Sequence, residues 1–314
     1  MSSPERGLIT IAYGSEKYYQ MGRAFALSVR HHSNSEKIAV VTDNRENFEG
    51  LFDFIIPIDL SYGSGITQKL YIDLYTPFQQ TLFVDSDCLL YGPSDVLWNF
   101  YSVEEGVGAR SVGRLVHGGS CLGVSNMDRY LDHLGIDGMP NVKGGFYYFD
   151  DSESTRDVFT TARGIYEERD IAGLTSFKGA VNEEPIMGAA LEITGQGAHP
   201  TNKAPVNTYL GEVEPVDVNV LDGKSRFIKN GTPVEPSSIH YGVGTQDGWV
   251  YLRDICRLEL NRHASWPDSV RFLAPALALY MLAMRQLSNK WKILRKRVRK
   301  HGPKGVIPRR IVKW

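Results

Sequence analysis

The sequence predicts an α/β fold with a mixed, mostly parallel sheet, helices on both faces and a basic helical tail. Short β-branched runs alternate with segments of helical apolar spacing through the N-terminal third of the chain. Alternation of this kind produces parallel strands, because each crossover helix covers one face of the sheet. With 314 residues and 42% hydrophobic content, the chain can bury one large core.

The predicted elements follow one another closely. The predicted strands are 8–12, 37–42, 54–58, 81–84, 106–112 and 145–150, and the predicted helices are 18–28, 67–76, 152–168 and 182–193. Residues 195–240 are rich in Gly, Pro and Asn, which indicates loops and small strands closing over the sheet. We expect a catalytic domain over residues 1–262 and an apolar and basic helical tail over 263–314.

Two carboxylates, Asp85 and Asp87, follow the apolar run 81–84. Open α/β sheets bind ligands at the carboxyl ends of their strands, so the pair is placed where a ligand is expected. Acidic pairs also cap helices or face water in turns, but here apolar residues stand on both sides. Hard oxygen ligands of this kind suit a divalent cation that neutralises a phosphorylated substrate.

His240 ends a strand-like run and precedes two glycines, Gly242 and Gly244. Imidazole completes a two-carboxylate site well for Mn²⁺ and less naturally for Mg²⁺. The glycines permit close backbone approach to phosphates. A single histidine is more often structural, so the prediction of a metal ligand depends on Asp85 and Asp87.

Further polar residues stand at strand ends and at a helix start. Tyr13 ends the first strand and could stack on a base, and Asp43 ends the second and could accept a hydrogen bond from base or ribose. Glu183 and Glu184 open a helix, where they complement its dipole or grip sugar hydroxyls.

Composition argues against a disulfide framework and a structural zinc site. The three cysteines are widely spaced and form no Cys-x-x-Cys pair. Residues 1–7 lack the basic region and long apolar stretch of a secretory signal. We therefore expect a cytoplasmic protein.

The order of these segments resembles the GT-A fold glycosyltransferases of the glycogenin-like family 8 type. The resemblance covers roughly residues 7 to 250. The segments that carry it are 9–13, 40–43, Lys69, 83–87, 144–149, 183–185 and 240–242. It implies a Rossmann-like GT-A sheet and transfer of a sugar, with retention, from a nucleotide-diphosphate donor that is most often UDP-linked.

The resemblance also implies roles for particular residues. Mn²⁺, or Mg²⁺, would be held by Asp85, Asp87 and His240. The donor-binding residues would be Ala12, Tyr13, Asp43, Lys69, Ser86, Gly242 and Gly244. Asp87, Glu183 and Glu184 would be the catalytic residues, and the acceptor would be a saccharide or a lipid-linked glycan.

This chain departs from the pattern of that family at three places. Lys143-Gly144-Gly145 replaces Asn-Ala-Gly, and Glu183 replaces an Asp. Gln246-Asp247-Gly248-Trp249 stands where the family carries a Lys-Pro-Trp run.

Two other functions remain open at this point. In a phosphohydrolase of the haloacid dehalogenase type, Asp85 would be the nucleophile and Asp87 the acid or base. That motif normally sits on the first strand, whereas here three α/β units precede it. The other alternative is a protein that binds a nucleotide sugar without turning it over.

The C-terminal segment is strongly basic. Residues 285–314 hold 12 Lys or Arg and no Asp or Glu, mixed with Trp291, Ile293, Leu294 and Val298. A basic amphipathic helix of this kind is typical of binding to an anionic membrane surface. The preceding apolar stretch, 272–284, is shorter than the ~20 residues that a bilayer span needs. Nucleic acid is the second choice of partner and is not expected, and a solvated helix is the remaining alternative.

Overall fold

The computed structural model describes residues 5–177, 179–200, 204–210, 212–242, 244–263 and 273–287. These residues fall into two compact units, divided between Tyr241 and Gly242. The boundary predicted between the catalytic domain and the tail, at residues 262 and 263, remains a prediction.

The first unit contains fifteen short or medium strands and six α-helices among its described residues. The strands are β1 (Arg6–Ile11), β2 (Ile38–Thr42), β3 (Phe54–Pro57), β4 (Gln80–Val84), β5 (Cys88–Leu90), β6 (Val107–Val116), β7 (Gly138–Asp150), β8 (Ser176–Phe177), β9 (Ala180–Val181), β10 (His199–Pro200), β11 (Val206–Thr208), β12 (Val213–Asn219), β13 (Lys224–Lys229), β14 (Thr232–Val234) and β15 (Ser238–His240). The helices are α1 (Glu16–His32), α2 (Ile72–Tyr75), α3 (Asp95–Tyr101), α4 (Met127–Leu134), α5 (Glu153–Glu167) and α6 (Glu183–Ile193).

Seven of these strands form the central sheet, in the order β3-β2-β1-β4-β7-β6-β10. β7 is antiparallel to both of its neighbours, β4 and β6, and the other pairings are parallel. The predicted mixed, mostly parallel sheet is therefore confirmed.

The inner strands are mostly apolar because both faces are covered. Leu8 and Ile9 of β1 and Val40 and Val41 of β2 are all fully buried. On one face, a core cluster joins Ile9 to residues of α4, α5 and α6. Each crossover helix therefore hides a strip of sheet and fixes the order of the strands.

Three small sheets complete the first unit. β5, β15 and β11 form one of them, with β15 antiparallel to β5 and parallel to β11. β12, β13 and β14 form an antiparallel meander, and β8 pairs with β9. This confirms the small strands predicted between residues 195 and 240.

The prediction of one α-helix over 67–76 is wrong, because the first half of this segment has the tighter 3₁₀ winding. The chain forms a 3₁₀-helix from Gly65 to Tyr71 and only then the short helix α2. The tighter winding accompanies tertiary contacts of its polar side chains. Gln68 Nε2 donates to the carbonyls of Asp59 and Gly63, both at 2.8 Å. Apolar spacing alone does not reveal contacts of this kind.

The second unit is helical in its described part. Helix α7 (Trp249–His263) and a helix over 273–287 bury Leu252, Cys256, Ala274 and Ala278 against one another. Within the residues that the structure describes, no helix combines the length and apolar character needed to cross a bilayer. Most of the predicted basic tail, residues 288–314, lies outside the described residues.

Candidate active site

The two predicted metal-binding carboxylates lie at the carboxyl end of β4. This strand ends at Val84, and the backbone amide of Asp85 donates to the carbonyl of Gly145 over 2.9 Å. Because β1, β2 and β4 are parallel, Asp85 shares this edge of the sheet with Tyr13 and Asp43.

His240 reaches the same edge through the pairing of β15 with β5. The two strands are antiparallel, and His240 stands opposite Cys88. Its Nε2 atom lies 3.1 Å from Asp87 Oδ1 and 3.8 Å from Asp85 Oδ2. The structure therefore brings together the three residues predicted to hold the metal.

The charge on His240 reflects these carboxylates. Burial favours the neutral ring, but Asp87 and Asp85 outweigh burial and raise the pKa of His240. A protonated imidazole in this position supplies the positive charge that two neighbouring carboxylates require. A divalent cation would supply the same charge with a neutral imidazole as ligand.

The donor atoms at this point suit a hard or borderline cation. Single ligand atoms of Asp87, Cys88 and His240 lie within 4.8 Å of one another, with Asp85 beside them. Carboxylate oxygen and imidazole nitrogen are ligands that Mn²⁺ accepts. Burial raises the pKa of the Cys88 thiol well above its ordinary value. Thiolate is a soft ligand, whereas Mn²⁺ prefers oxygen ligands. The residues present fit Mn²⁺ through Asp85, Asp87 and His240.

Lys69 joins this centre to helix α6. Its Nζ atom donates to Glu183 Oε1 over 2.8 Å, to Asp85 Oδ2 over 2.9 Å and to the carbonyl of Gly144 over 2.9 Å. Burial alone would lower the pKa of Lys69, but Asp85 and Glu183 raise it above its ordinary value. An ammonium group has three donors, and all three are used here. Lys69 was predicted to be a donor-binding residue. In the structure its ammonium group is engaged with protein oxygens, and its contact with a donor remains a prediction.

Glu184 is tied to β7. Its Oε1 accepts from the amide of Gly144 over 3.0 Å, and its Oε2 lies 3.3 Å from Lys143 Nζ. Asn182 caps α6 by accepting from the amide of Glu184. Both carboxylates at the helix start therefore face the edge of the sheet where the aspartates lie.

Gly144 and Gly145 lie in a bulge of β7. Ala109 of β6 pairs with Tyr147, but the next residue, Arg110, pairs with Lys143. A Cβ at Gly144 would stand 2.2 Å from Glu183 Oε1, and a Cβ at Gly145 would stand 3.0 Å from His240 Nδ1. Glycine is needed here because the side chains of Glu183 and His240 approach the backbone closely.

The predicted nucleotide-binding residues lie at the ends of β1 and β2. The Tyr13 hydroxyl accepts from the amide of Gly65 over 2.6 Å. Asp43 accepts from the amide of Gly14 over 3.1 Å and from the Tyr19 hydroxyl over 2.9 Å. Ala12 is 1% exposed. Their contact with a nucleotide remains a prediction.

Three further predicted residues are placed as follows. Ser86 is buried between the two aspartates along the chain. Gly242 and Gly244 belong to the second unit, where the amide of Thr245 donates to the carbonyl of Gly242 over 3.1 Å. Their predicted contact with phosphate remains a prediction.

Tyr147 is a residue that the sequence did not single out. It is 1% exposed, and its hydroxyl makes no hydrogen bond within the described part of the chain. Burial and then the nearby charges of Glu183 and Glu184 raise the pKa of Tyr147 well above its ordinary value. Nothing in its apolar and aromatic sequence context indicated a hydroxyl at the centre of the site.

The sequence matches no family model and no curated protein. Among solved structures, it is similar to the apo form of the bifunctional glycosyltransferase WbbM. The TM-score is 0.51 at 11% identity, over 86% of this chain and 52% of that chain. An active-site mutant of LgtC gives a TM-score of 0.49 at 15% identity, over 83% of this chain and 96% of that chain. GlyE of Streptococcus pneumoniae gives 0.43 at 12% identity, over 63% of this chain and 45% of that chain.

The chain spans about half the length of the WbbM and GlyE chains. At such identities, similarity establishes the fold alone. The parallel strands β1 to β4, the antiparallel β7 and the covering helices match that architecture. The protein therefore has the mixed α/β GT-A fold found in glycosyltransferases.

Proposed function

We propose that this protein is a metal-dependent glycosyltransferase that moves a sugar from a nucleotide-diphosphate donor to a saccharide or lipid-linked acceptor. We propose UDP as the nucleotide, Mn²⁺ or Mg²⁺ as the cation, and retention of anomeric configuration. The family 8 resemblance of the sequence motifs supports these finer assignments, and the GT-A fold supports sugar transfer in general.

The observation that carries the proposal is the convergence of Asp85, Asp87 and His240 at the carboxyl end of β4. His240 Nε2 lies within 3.8 Å of both carboxylates, although it comes from a different sheet. A structural histidine would need only one acceptor. Two acidic partners and a buried setting indicate a place for a cation.

We assign one group of residues to the cation and another to the nucleotide-sugar donor. Asp85, Asp87 and His240 would hold the cation, which when bound stabilises charge on the departing diphosphate as a Lewis acid. Lys69 keeps Asp85 and Glu183 in fixed positions through its three hydrogen bonds. We assign Glu183 and Glu184 to the donor sugar, and Tyr13 and Asp43 to the nucleotide.

Thermal unfolding with a panel of nucleotide sugars, each with and without Mn²⁺, tests this proposal. We expect one UDP-sugar to raise the Tm only when metal is present, because a ligand stabilises the folded state in proportion to its occupancy. Asp87→Asn should lose this effect. Asp95→Asn is the matched control, because Asp95 is exposed and pairs only with Arg6 among the described residues.

Equal stabilisation of the Asp87→Asn protein would overturn the metal site. Turnover of a generic phosphate ester, with no sugar transfer, would favour the phosphohydrolase instead. Donor binding without any transfer would favour a binding protein. The anomeric configuration of the product, read by NMR, tests retention.

We also propose that the protein binds the cytosolic face of an anionic membrane through residues 285–314. In the described helix over 273–287, most of the exposed large apolar side chains recur at helical spacing. Leu273, Leu277, Tyr280, Met284 and Leu287 follow this spacing, and Leu279 is exposed outside it. Deleting residues 288–314 should release the protein from anionic liposomes while donor hydrolysis continues. Unchanged liposome binding, or loss of hydrolysis as well, would contradict this role.

A further inference from the structure

Two cations of the first unit, Arg110 and Lys229, have no acidic partner in the described chain. Arg110 is 7% exposed, and the one side-chain hydrogen bond that it makes to the described residues runs from Nη1 to the carbonyl of Val206 over 2.8 Å. Lys229 Nζ donates to Asn207 Oδ1 over 2.9 Å and to the carbonyl of Thr208 over 2.6 Å. All of these acceptors are neutral.

Both cations lie on the same edge of β11. The opposite edge of this strand pairs with β15. There the amide of Ser238 donates to the carbonyl of Pro205, and the amide of Tyr209 donates to the carbonyl of His240. The carbonyls of Val206 and Thr208 are two residues apart, so they point to the same side at a spacing of about 7 Å. The side chains of Arg110 and Lys229 thus donate to carbonyls that a neighbouring strand would otherwise bind along this edge.

The edge lies one strand away from the candidate metal centre. In the pairing of β11 with β15, Thr208 is aligned with His240. Lys229 is therefore anchored next to the histidine strand. Arg110 is anchored from the other side, since it begins the irregular stretch of β6 opposite the glycine bulge.

Two other cations of the same strands have acidic partners. On β6, Arg114 Nη2 pairs with Glu192 Oε1 over 2.5 Å. On β13, Lys224 pairs with Asp217 over 2.9 Å. Arg110 and Lys229 are more buried than these two, and burial and then the charge of Arg110 lower the pKa of Lys229. Burying two like charges side by side is unfavourable unless an anion joins them.

We propose that Arg110 and Lys229 form a subsite that binds a phosphate group at the edge of β11 that faces away from β15. The guanidinium keeps further N–H donors in a planar fork that matches phosphate oxygens, and the ammonium adds a point charge. The phosphate belongs either to the donor diphosphate or to a phosphate-bearing acceptor. The inference goes beyond the proposed function, because anion binding here requires no sugar transfer.

Calorimetric titration of the full chain with inorganic pyrophosphate in metal-free buffer tests the subsite. We expect wild type to bind, and Lys229→Gln to bind at least about tenfold more weakly, equivalent to ~1.4 kcal/mol. Arg110→Gln should show the same loss. The matched controls are Lys224→Gln on β13 and Arg114→Gln on β6, and these should stay within about twofold of wild type.

Three results would overturn the subsite. They are no binding by wild type, unchanged binding by Lys229→Gln, and equal weakening in all four variants. Because Arg110 is buried, its variant is compared only if its circular dichroism and unliganded Tm match wild type. Lys229 is partly exposed, so Lys229→Gln remains the deciding variant.

Titration with UDP and Mn²⁺ separates the two sources of phosphate. If Lys229→Gln weakens UDP as well as pyrophosphate, the subsite serves the donor. If only pyrophosphate is weakened, it serves an acceptor phosphate. A wild-type protein that binds pyrophosphate but transfers no sugar would keep the subsite and reject the proposed function. Metal-dependent sugar transfer by a protein that does not bind pyrophosphate would support the proposed function and reject the subsite.

Discussion

Lys69 Nζ lies 2.8 Å from Glu183 Oε1, so one ammonium group connects the end of β4 to the start of α6. The same group holds Asp85 and the carbonyl of Gly144. One ammonium group therefore links a candidate metal ligand, Asp85, to a candidate sugar-binding carboxylate, Glu183.

The first prediction concerns this ammonium group. Lys69→Met leaves two buried carboxylates without their cation, and we expect a loss of about 3–5 kcal/mol in the free energy of unfolding. Lys143→Met is the control, because Lys143 meets Glu184 at a partly exposed site and should cost under about 1 kcal/mol. Urea denaturation followed by circular dichroism gives both values. Equal losses of unfolding free energy in the two variants would show that the buried contacts of Lys69 do not stabilise the fold more than the partly exposed pair of Lys143 does.

A second prediction concerns the glycine bulge. In Gly144→Ala, the new methyl group would stand 2.2 Å from Glu183 Oε1, so the carboxylate and Lys69 must shift. We expect a lower Tm and loss of donor-dependent stabilisation. Gly164→Ala is the opposite case, since Gly164 lies in α5 with nothing within 4 Å of a new Cβ. That change should stabilise the protein by roughly 0.5–1 kcal/mol. Differential scanning calorimetry distinguishes the two, and a tolerated alanine at 144 would refute the close packing.

The third prediction is a pH dependence that arises away from the site. Burial alone would raise the pKa of Asp53, but hydrogen bonds from Arg30, the amide of Ile38 and Lys37 lower it below its ordinary value. Its contribution to stability is therefore fully present above the unfolded-state pKa of about 3.9 and is lost as the pH falls through the lower folded-state pKa.

We expect Asp53→Asn to lose on the order of 1 kcal/mol at pH 7 and to approach wild type in stability at pH 2–3. The control is Asp95→Asn, whose partner Arg6 is exposed and whose effect should be small at both pH values. Guanidinium denaturation across this range measures the difference. A gap between Asp53→Asn and wild type that persists at pH 2 would argue against this linkage.

A fourth prediction compares two buried tyrosines. The Tyr147 hydroxyl has no hydrogen bond within the described residues, so Tyr147→Phe should leave the Tm unchanged or raise it. The Tyr75 hydroxyl accepts from the amide of Asp59 and donates to Gln68 Oε1, both over 2.8 Å. Tyr75→Phe should therefore cost about 1–2 kcal/mol. A larger loss for Tyr147→Phe than for Tyr75→Phe would mean that the Tyr147 hydroxyl has a partner in solution.

Much of the fold could be predicted because local signals agree with the tertiary structure. β1, β2 and β4 are mostly apolar, and such runs are typical of strands buried on both faces. The position of Asp85 followed directly, since the residue after a central parallel strand lies at the edge of the sheet where ligands bind. The helix starts at Glu153 and Glu183 also agree closely with the predicted ones.

The contacts that organise the site could not be predicted in the same way. Lys69 meets Glu183 across 114 residues of sequence, and no pattern in a single chain reveals that pairing. The winding of 65–71 depends on Gln68 and its carbonyl partners, which tertiary structure supplies. Arg110 and Lys229 belong to no motif, because they are made neighbours only by the edge of β11.

The pairing of β5 with β15 has a consequence for biosynthesis. All seven strands of the central sheet are complete by residue 200, whereas the histidine opposite Cys88 belongs to the last strand of its unit. Closing so long a loop is slow, so this pairing should form late. On the proposed function, a nascent chain would therefore complete its scaffold before it acquires His240, the last of the three proposed metal ligands, as the final segment of that unit leaves the ribosome.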